Sequence, residues 1–363
     1  MNTVFLDKVR RVLVRKSTSL YGRVFYNLDD VLAQITKRPF ELHLELTNLC
    51  NANCVFCPYQ FQERPTEFMS DPVFLKSVSD FLEIGGGSVG LTPIVGDPLI
   101  DPKLLERVRY LRSAPRIDRI FLTTNAILLD RFGIRAILES GVSSINISTS
   151  GFDEESYKRI YRSNSYQRMR RNVQQLYELN EEMGRPVNLC LCLRTDRDLS
   201  IVCKDPDFQP ILRFQPTIDF TWSYSSSNGR ITRDILPANM KLRHVASRSE
   251  PCVNLYHGPM VLVDGVVLGC SCLGAMDAVK DLLIGDIKSE SLLDIYTGQL
   301  LRDLRSQFST PGGLNSTCAG CDSYRNLDLL RTPEGRHRAD LNRRRGEGEV
   351  VKREKAQGAF AGG

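Results

Sequence analysis

No stretch of this 363-residue chain approaches the run of roughly 20 apolar residues that a helix needs to cross a bilayer. The N-terminus lacks the apolar core of a secretory signal, because Asp7, Lys8, Arg10 and Arg11 interrupt it. No phosphate-cradling glycine loop, serine-nucleophile elbow or H-E-x-x-H zinc helix occurs. Cysteines number eleven, too few and too unevenly placed for a disulfide scaffold. At 42% hydrophobic and 25% charged residues, the composition is that of a globular protein, which excludes collagen-like and wholly disordered classes. These absences predict a cytoplasmic protein. In that reducing compartment, clustered cysteines are metal ligands more often than bridges.

The formal charge of +5 hints at nucleic acid, but its distribution argues otherwise. Residues 1–39 carry eight basic and three acidic side chains and residues 331–363 carry nine and five, so residues 40–330 sum to −4. A basic excess confined to the ends of a mildly acidic body predicts solvated arms and no specific nucleic acid. The arm 1–39 has helical spacing, with Val4, Phe5, Val9, Val12 and Leu13 on one face that is expected to dock on its own domain. The tail 331–363 holds too few apolar residues to order itself.

Between the arms, residues 40–224 alternate two patterns. Short runs rich in β-branched residues predict strands at 40–46, 88–95, 117–124, 143–149, 186–194 and 217–224. Helical stretches are predicted at 70–83, 102–112, 131–139 and 154–182. Such alternation gives parallel strands with crossover helices, and six units make an α/β fold of the partial (β/α)6 barrel type, placed at 40–250. Its chemistry belongs at the C-terminal ends of the strands. Residues 251–330 differ: they hold five cysteines, a hairpin signal in MVLVDGVVLGC with Asp264-Gly265 at the turn, and a helix near 290–307. They predict a small C-terminal domain.

Directly after the first strand comes LTNLCNANCVFCPY, in which Cys50, Cys54 and Cys57 are spaced C-x3-C-x2-C. A structural zinc site wants four ligands, and no fourth lies nearby. A cubane cluster has four irons, so three cysteines leave one iron open for a further ligand. On these residues the chain resembles the radical S-adenosylmethionine (SAM) superfamily, whose signature is this spacing in the loop after the first barrel strand. The resemblance implies a [4Fe–4S] cluster that binds SAM and cleaves it reductively to a 5′-deoxyadenosyl radical, which takes hydrogen from substrate. Further residues match at later strand ends. In VGDPLIDP, Gly96 would let backbone approach SAM and Asp97 would accept from its ammonium, although Val95 replaces a usual glycine and Asp a usual glutamate. Asn125, in a Thr-Asn-Ala turn, falls near SAM, Ser148 matches a ribose-contacting position, with Ser150 two residues on, and Phe56 matches an aromatic beside adenine. Arg162 matches an arginine that pairs with the SAM carboxylate, a task suited to a guanidinium fork.

The C-terminal region reads Cys252, twelve residues, Gly265, four residues, Cys270, and later Cys318-x-x-Cys321. This resembles the SPASM/twitch appendage of the same superfamily and implies a second, auxiliary [4Fe–4S] cluster held by four cysteines. A zinc ribbon fits the same spacing. Four cysteines remain. Cys190 and Cys192 alternate on the fifth strand and point the same way, either inward or as packing; Cys203 is unassigned. Cys272, two residues past Cys270, could be a ligand, a structural thiol or the catalytic hydrogen donor to a substrate radical. His43 and His257 are candidate acid–base groups without a diagnostic spacing.

The expected function is radical oxidoreduction of a small hydroxylated substrate (sugar, cyclitol or aminoglycoside-like), by dehydrogenation or epimerisation. Peptide modification and a zinc-binding interaction protein are the alternatives. The partners implied are the small-molecule or peptide substrate and a reductant such as flavodoxin or ferredoxin.

Overall fold

Six strands lie side by side in chain order, all parallel, in the computed structural model of the protein. The structure describes residues 27–91, 94–245, 247–248, 250–270, 279–310, 312–327 and 330. The strands are β1 (Glu41–Leu44), β2 (Gly87–Gly90), β3 (Ile117–Thr124), β4 (Ser144–Thr149), β5 (Asn188–Arg194) and β6 (Thr217–Thr221). Helix α1 (Leu28–Ile35) precedes them. Parallel neighbours need crossovers, and these are α2 (Asp71–Glu83), α3 (Leu104–Ser113), α4 (Ile134–Glu139) and the pair α5 (Glu154–Tyr161) and α6 (Tyr166–Glu182). The Ser70 side chain caps α2 at the Val73 N–H, and Asp153 caps α5 at the Ser156 N–H.

Strand parity sorts the side chains. Leu42, Leu44, Val89, Ile145, Ile147, Leu191 and Leu193 are all fully buried, on the face that the helices cover. The opposite parity carries His43, Gly90, Phe121, Thr123, Asn146, Ser148, Cys190, Cys192, Arg194 and Asp219 on the inner face of the sheet. That face is polar along its C-terminal half.

Strands β7 (Ser223–Tyr224) and β8 (Lys241–Leu242) form a short parallel pair. β9 (Met260–Val261) then pairs parallel with the free edge of β1, His43 opposite Met260, and β10 (Val266–Leu268) and β11 (Leu283–Asp286) extend the sheet antiparallel to nine strands. Gly258 makes that close approach possible, since a Cβ there would run into the Glu41 carbonyl. The C-terminal segment thus continues the barrel sheet.

Three local expectations change. Helix 154–182 divides in two, because Arg162 takes left-handed backbone at φ 49 and closes α5. The helix near 290–307 divides at Gly298 into α7 (Leu292–Thr297) and α8 (Gln299–Ser306), where Gly298 turns extended with ψ 166. The hairpin turn is not Asp264-Gly265 alone. Gly265 N–H donates to Leu262 O at 3.0 Å and Leu262 N–H to Val266 O at 2.9 Å, a three-residue loop with Gly265 at φ 93. The arm up to residue 26, the tail 331–363 and Cys272 lie outside the described residues. Among the described residues no helix is long and apolar enough to cross a membrane.

Candidate active site and cysteine pocket

The loop after β1 carries Cys50, Cys54 and Cys57 and is pinned from two sides. Asn53 N–H donates to Tyr161 O at 3.2 Å and Val55 N–H to Ile160 O at 2.9 Å, so the end of α5 holds it. Asp97 N–H donates to Leu49 O at 2.8 Å from the β2 side. Burial pushes the Cys50 thiol up to about 12 and Cys57 to about 11. Cys54 is driven up by burial first and then by the charges of Cys57 and Cys50. Three buried thiols this close ionise when a metal centre brings compensating positive charge.

Gly96 and Asp97 sit at the end of the β2 loop. Gly96 has φ +113, and a Cβ on it would lie 2.7 Å from Thr47 O and 2.8 Å from Leu49 O, so this glycine lets the cysteine loop pass. Asp97 is 2% exposed. Its carboxylate accepts from Leu99 N–H at 3.0 Å, Asn125 N–H at 2.7 Å and the Thr124 hydroxyl at 2.9 and 3.0 Å. It does not present a free carboxylate; it ties the β2 loop to the end of β3.

Asn125 lies against the cysteine loop, its Nδ2 2.7 Å from Asn51 Oδ1 and 3.9 Å from Cys50 Sγ. At the end of β4 the Ser148 hydroxyl shares a 2.7 Å hydrogen bond with Tyr161. Ser150 is fully buried, with no hydrogen-bond partner for its hydroxyl. Phe56 packs edge-on to Tyr161 at 5.6 Å and stacks on Tyr224 at 5.2 Å. Arg162 is exposed and donates to Gln60 Oε1 at 3.1 Å, while Gln60 in turn donates to Val55 O and Cys57 O. Phe56, Gly96, Asp97, Asn125, Ser148 and Arg162 therefore all reach the cysteine loop directly or through one neighbour. The orphaned Asn51 Nδ2 and Ser150 hydroxyl fit a polar group seated against that loop.

Two residues on the inner face were not singled out from the sequence. Arg194, the last residue of β5, faces inward with Nη1 3.3 Å from Asp219 on β6, its side chain 24% exposed. Neighbouring Cys192, Asp219 and Tyr161 favour its charged form against the burial. The spacing Cys190, Cys192, Arg194 was the signal that could have found it. Cys190 and Cys192 do point the same way, the Cys192 thiol donating to Cys190 and lowering it to about 7. His43 packs on Phe121 at 5.9 Å, and burial lowers it despite Glu41 at 3.6 Å.

A second site lies in the C-terminal segment. Cys252, Cys270, Cys318 and Cys321 line one pocket of about 410 Å³, closed by Leu255, Leu282, Phe308 and Tyr324. Cys318 and Cys321 are set by α9 (Ser316–Gly320), whose cap Asn315 accepts from Cys318 N–H at 2.8 Å. Asp281 accepts from the Ser316 and Thr317 hydroxyls at 2.7 Å and from Thr317 N–H at 3.1 Å. Next to Cys321, buried Asp322 accepts the Ser225 hydroxyl at 2.6 Å, joining the pocket to the segment after β6. Among the described residues no three Cys, His, Asp or Glu side chains converge on a point that one ion could fill. A cubane asks for less convergence, since each cysteine binds a different iron.

The radical SAM superfamily model matches residues 44–188, and a model of the SPASM iron–sulfur cluster-binding domain matches residues 252–322. Among curated proteins, the GTP 3′,8-cyclase of Chlorobaculum tepidum is 29% identical over 154 residues, 40% of this chain and 46% of that protein. The probable GTP 3′,8-cyclase of Archaeoglobus fulgidus is 26% identical over 159 residues, 44% and 47% of the two chains. The chain spans about half the length of the curated relatives it matches. Solved structures share the fold. BtrN in complex with AdoMet and 2-DOIA has a TM-score of 0.55 at 17% identity, over 79% of this chain and 94% of that one. Streptococcus suis SuiB bound to precursor peptide SuiA has 0.58 at 14%, over 83% and 75%. The anSMEcpe enzyme with bound AdoMet has 0.53 at 15%, over 86% and 98%. Membership implies the [4Fe–4S] cluster, SAM and auxiliary iron–sulfur chemistry expected from the two cysteine groups. The chain belongs to the radical SAM superfamily and carries a C-terminal SPASM-type iron–sulfur domain.

Proposed function

We propose that the protein takes hydrogen from a small, polar, hydroxylated substrate such as a sugar, a cyclitol or an aminoglycoside-like molecule, and either dehydrogenates an alcohol or inverts its stereocentre. The observation that carries this reading is the inner face of the barrel. Thr123, Asn146, Ser148, Cys192, Arg194 and Asp219 line its C-terminal half, beside the cysteine loop, and offer donors and acceptors for hydroxyl groups.

In this reading Cys50, Cys54 and Cys57 hold the SAM-binding cluster, and Cys252, Cys270, Cys318 and Cys321 hold the auxiliary one. Cluster and SAM together supply one-electron hydrogen-abstraction chemistry that no side chain offers. The protein positions reactants and excludes water. Phe56 provides an aromatic surface, Arg162 and Ser148 lie at the loop's rim to engage SAM, and Asp97 acts from behind by fixing Thr124 and Asn125. Arg194 and Asp219 anchor substrate hydroxyl or amino groups. An external one-electron donor of the flavodoxin or ferredoxin kind reduces the cluster. If a stereocentre is inverted, Cys272 is the hydrogen donor the sequence offers.

The curated relatives named for GTP suggest a nucleotide instead. A triphosphate calls for several unpaired cations. On the inner face of the described strands, Arg119 lies over the Phe121 ring at 4.9 Å and donates to Ser144, and Arg194 pairs with Asp219. This arrangement favours the polyol.

Incubation of reconstituted protein with candidate polyols in heavy water, read by mass, tests the reading. Loss of two mass units indicates dehydrogenation and gain of one indicates inversion. Modification of a leader-bearing peptide, with no change in any polyol, overturns it.

A further inference from the structure

The Asn125 amide has one orientation open to it. Its Oδ1 accepts the Ile127 N–H at 3.0 Å, which leaves Nδ2 facing Asn51 Oδ1 at 2.7 Å and Cys50 Sγ at 3.9 Å. The residue is 7% exposed, and its backbone is held by the Asp97 carboxylate at 2.7 Å. Asn51, thus oriented through its own Oδ1, has a buried Nδ2 with no acceptor in the protein. Two amide donors are therefore buried at Cys50, one directed at its sulfur and one without an acceptor. A buried N–H left unpaired costs about 1–3 kcal/mol, so such a donor persists where a ligand supplies the acceptor.

Resting on the reading that Cys50 binds the SAM-binding cluster, we infer that Asn125 and Asn51 are N–H···S donors to that cluster and set its reduction potential. Asn125 donates to the Cys50 thiolate, and the free Asn51 donor serves a cluster sulfur beside it. Reduction adds one electron, supplied by dithionite or a protein donor, to a group whose sulfurs carry the extra negative charge. Donors aimed at those sulfurs stabilise the reduced form more than the oxidised form and raise the potential. Asn125 then contributes by easing electron delivery to the cluster, a role separate from any contact with SAM.

The test is an anaerobic redox titration of the reconstituted full-length protein, followed by electron paramagnetic resonance. The relevant cluster is the one whose signal changes when SAM is added. Asn125→Ala moves its midpoint to a more negative potential and leaves the auxiliary cluster's midpoint in place. Asn51→Ala moves it in the same direction. Should Asn125→Ala fail to retain its cluster, Asn51→Ala decides the matter, because that substitution removes only the partner of Asn125 and the free donor. Midpoints equal to the parent's in the variants that load overturn the inference and leave the function standing. A parent protein that forms no SAM-responsive cluster overturns both.

Discussion

The Asp97 carboxylate and the Thr124 hydroxyl, both 2% exposed, meet at 2.9 Å across the ends of two neighbouring strand segments. The same carboxylate takes the N–H groups of Leu99 and Asn125. Through these bonds it fixes the β2 loop, and with it the cysteine loop that receives the Asp97 N–H. Removal of the carboxylate in Asp97→Ala strands three buried donors. An unsatisfied buried donor costs about 1–3 kcal/mol, and because the donors partly re-pair the expected loss is about 3 kcal/mol. Urea unfolding of the apoprotein measures it, and iron per chain after reconstitution should fall in parallel. Parental stability and iron content would show that the carboxylate does not hold the loop.

Glu45 is fully buried and pairs through both oxygens with Arg64, at 2.7 and 2.8 Å, while accepting Val263 N–H from the C-terminal hairpin at 3.3 Å. One carboxylate thus joins β1, the cysteine loop and the hairpin. Glu45→Gln leaves Arg64 without its counter-charge and should destabilise by roughly 3 kcal/mol. The double variant Glu45→Gln/Arg64→Met should recover part of that loss, since the stranded charge is gone. Chemical unfolding of the three proteins decides it.

His43 binds its proton less readily in the fold than when unfolded, because burial lowers its pKa and Glu41 offsets this only in part. As pH falls through about 6.5, the unfolded chain takes up the proton first, so stability is lost on acidification and kept above that pH. In His43→Gln the drop in melting temperature between pH 7.5 and 5.5 should be smaller than in the parent. Equal drops would assign the acid sensitivity to other groups.

Cys318 lines the second pocket, whose walls are separate from the β1 loop. Cys318→Ala should lose about half of the reconstituted iron, retain some SAM cleavage, and form no product. Product at the parental rate would show that the second cluster is not needed for turnover.

Much of the fold was legible because its signals are local. β3 falls at Ile117–Thr124 as its β-branched run indicates, and β4 and β5 start within two residues of the expected place. The cysteine spacings were legible for the same reason, since three ligands within eight residues need no tertiary information. What escaped depends on distant partners. Nothing around Asp97 tells that Thr124 and Asn125 will take its carboxylate, and nothing around Arg194 tells that Asp219 will lie beside it. The division of 154–182 escaped because the helical spacing on both sides of Arg162 is strong and the break rests on one left-handed residue. The join of β9 to β1 was equally hidden, as a pairing across more than 200 residues leaves no local pattern.

The central claim is that Cys50, Cys54 and Cys57 hold a cluster that cleaves SAM. Release of 5′-deoxyadenosine from SAM by anaerobically reconstituted, dithionite-reduced protein tests it most directly, with Cys54→Ala alongside. The account predicts release by the parent and none by the variant. Zinc-loaded protein that releases none, or a variant that releases as much as the parent, would contradict it.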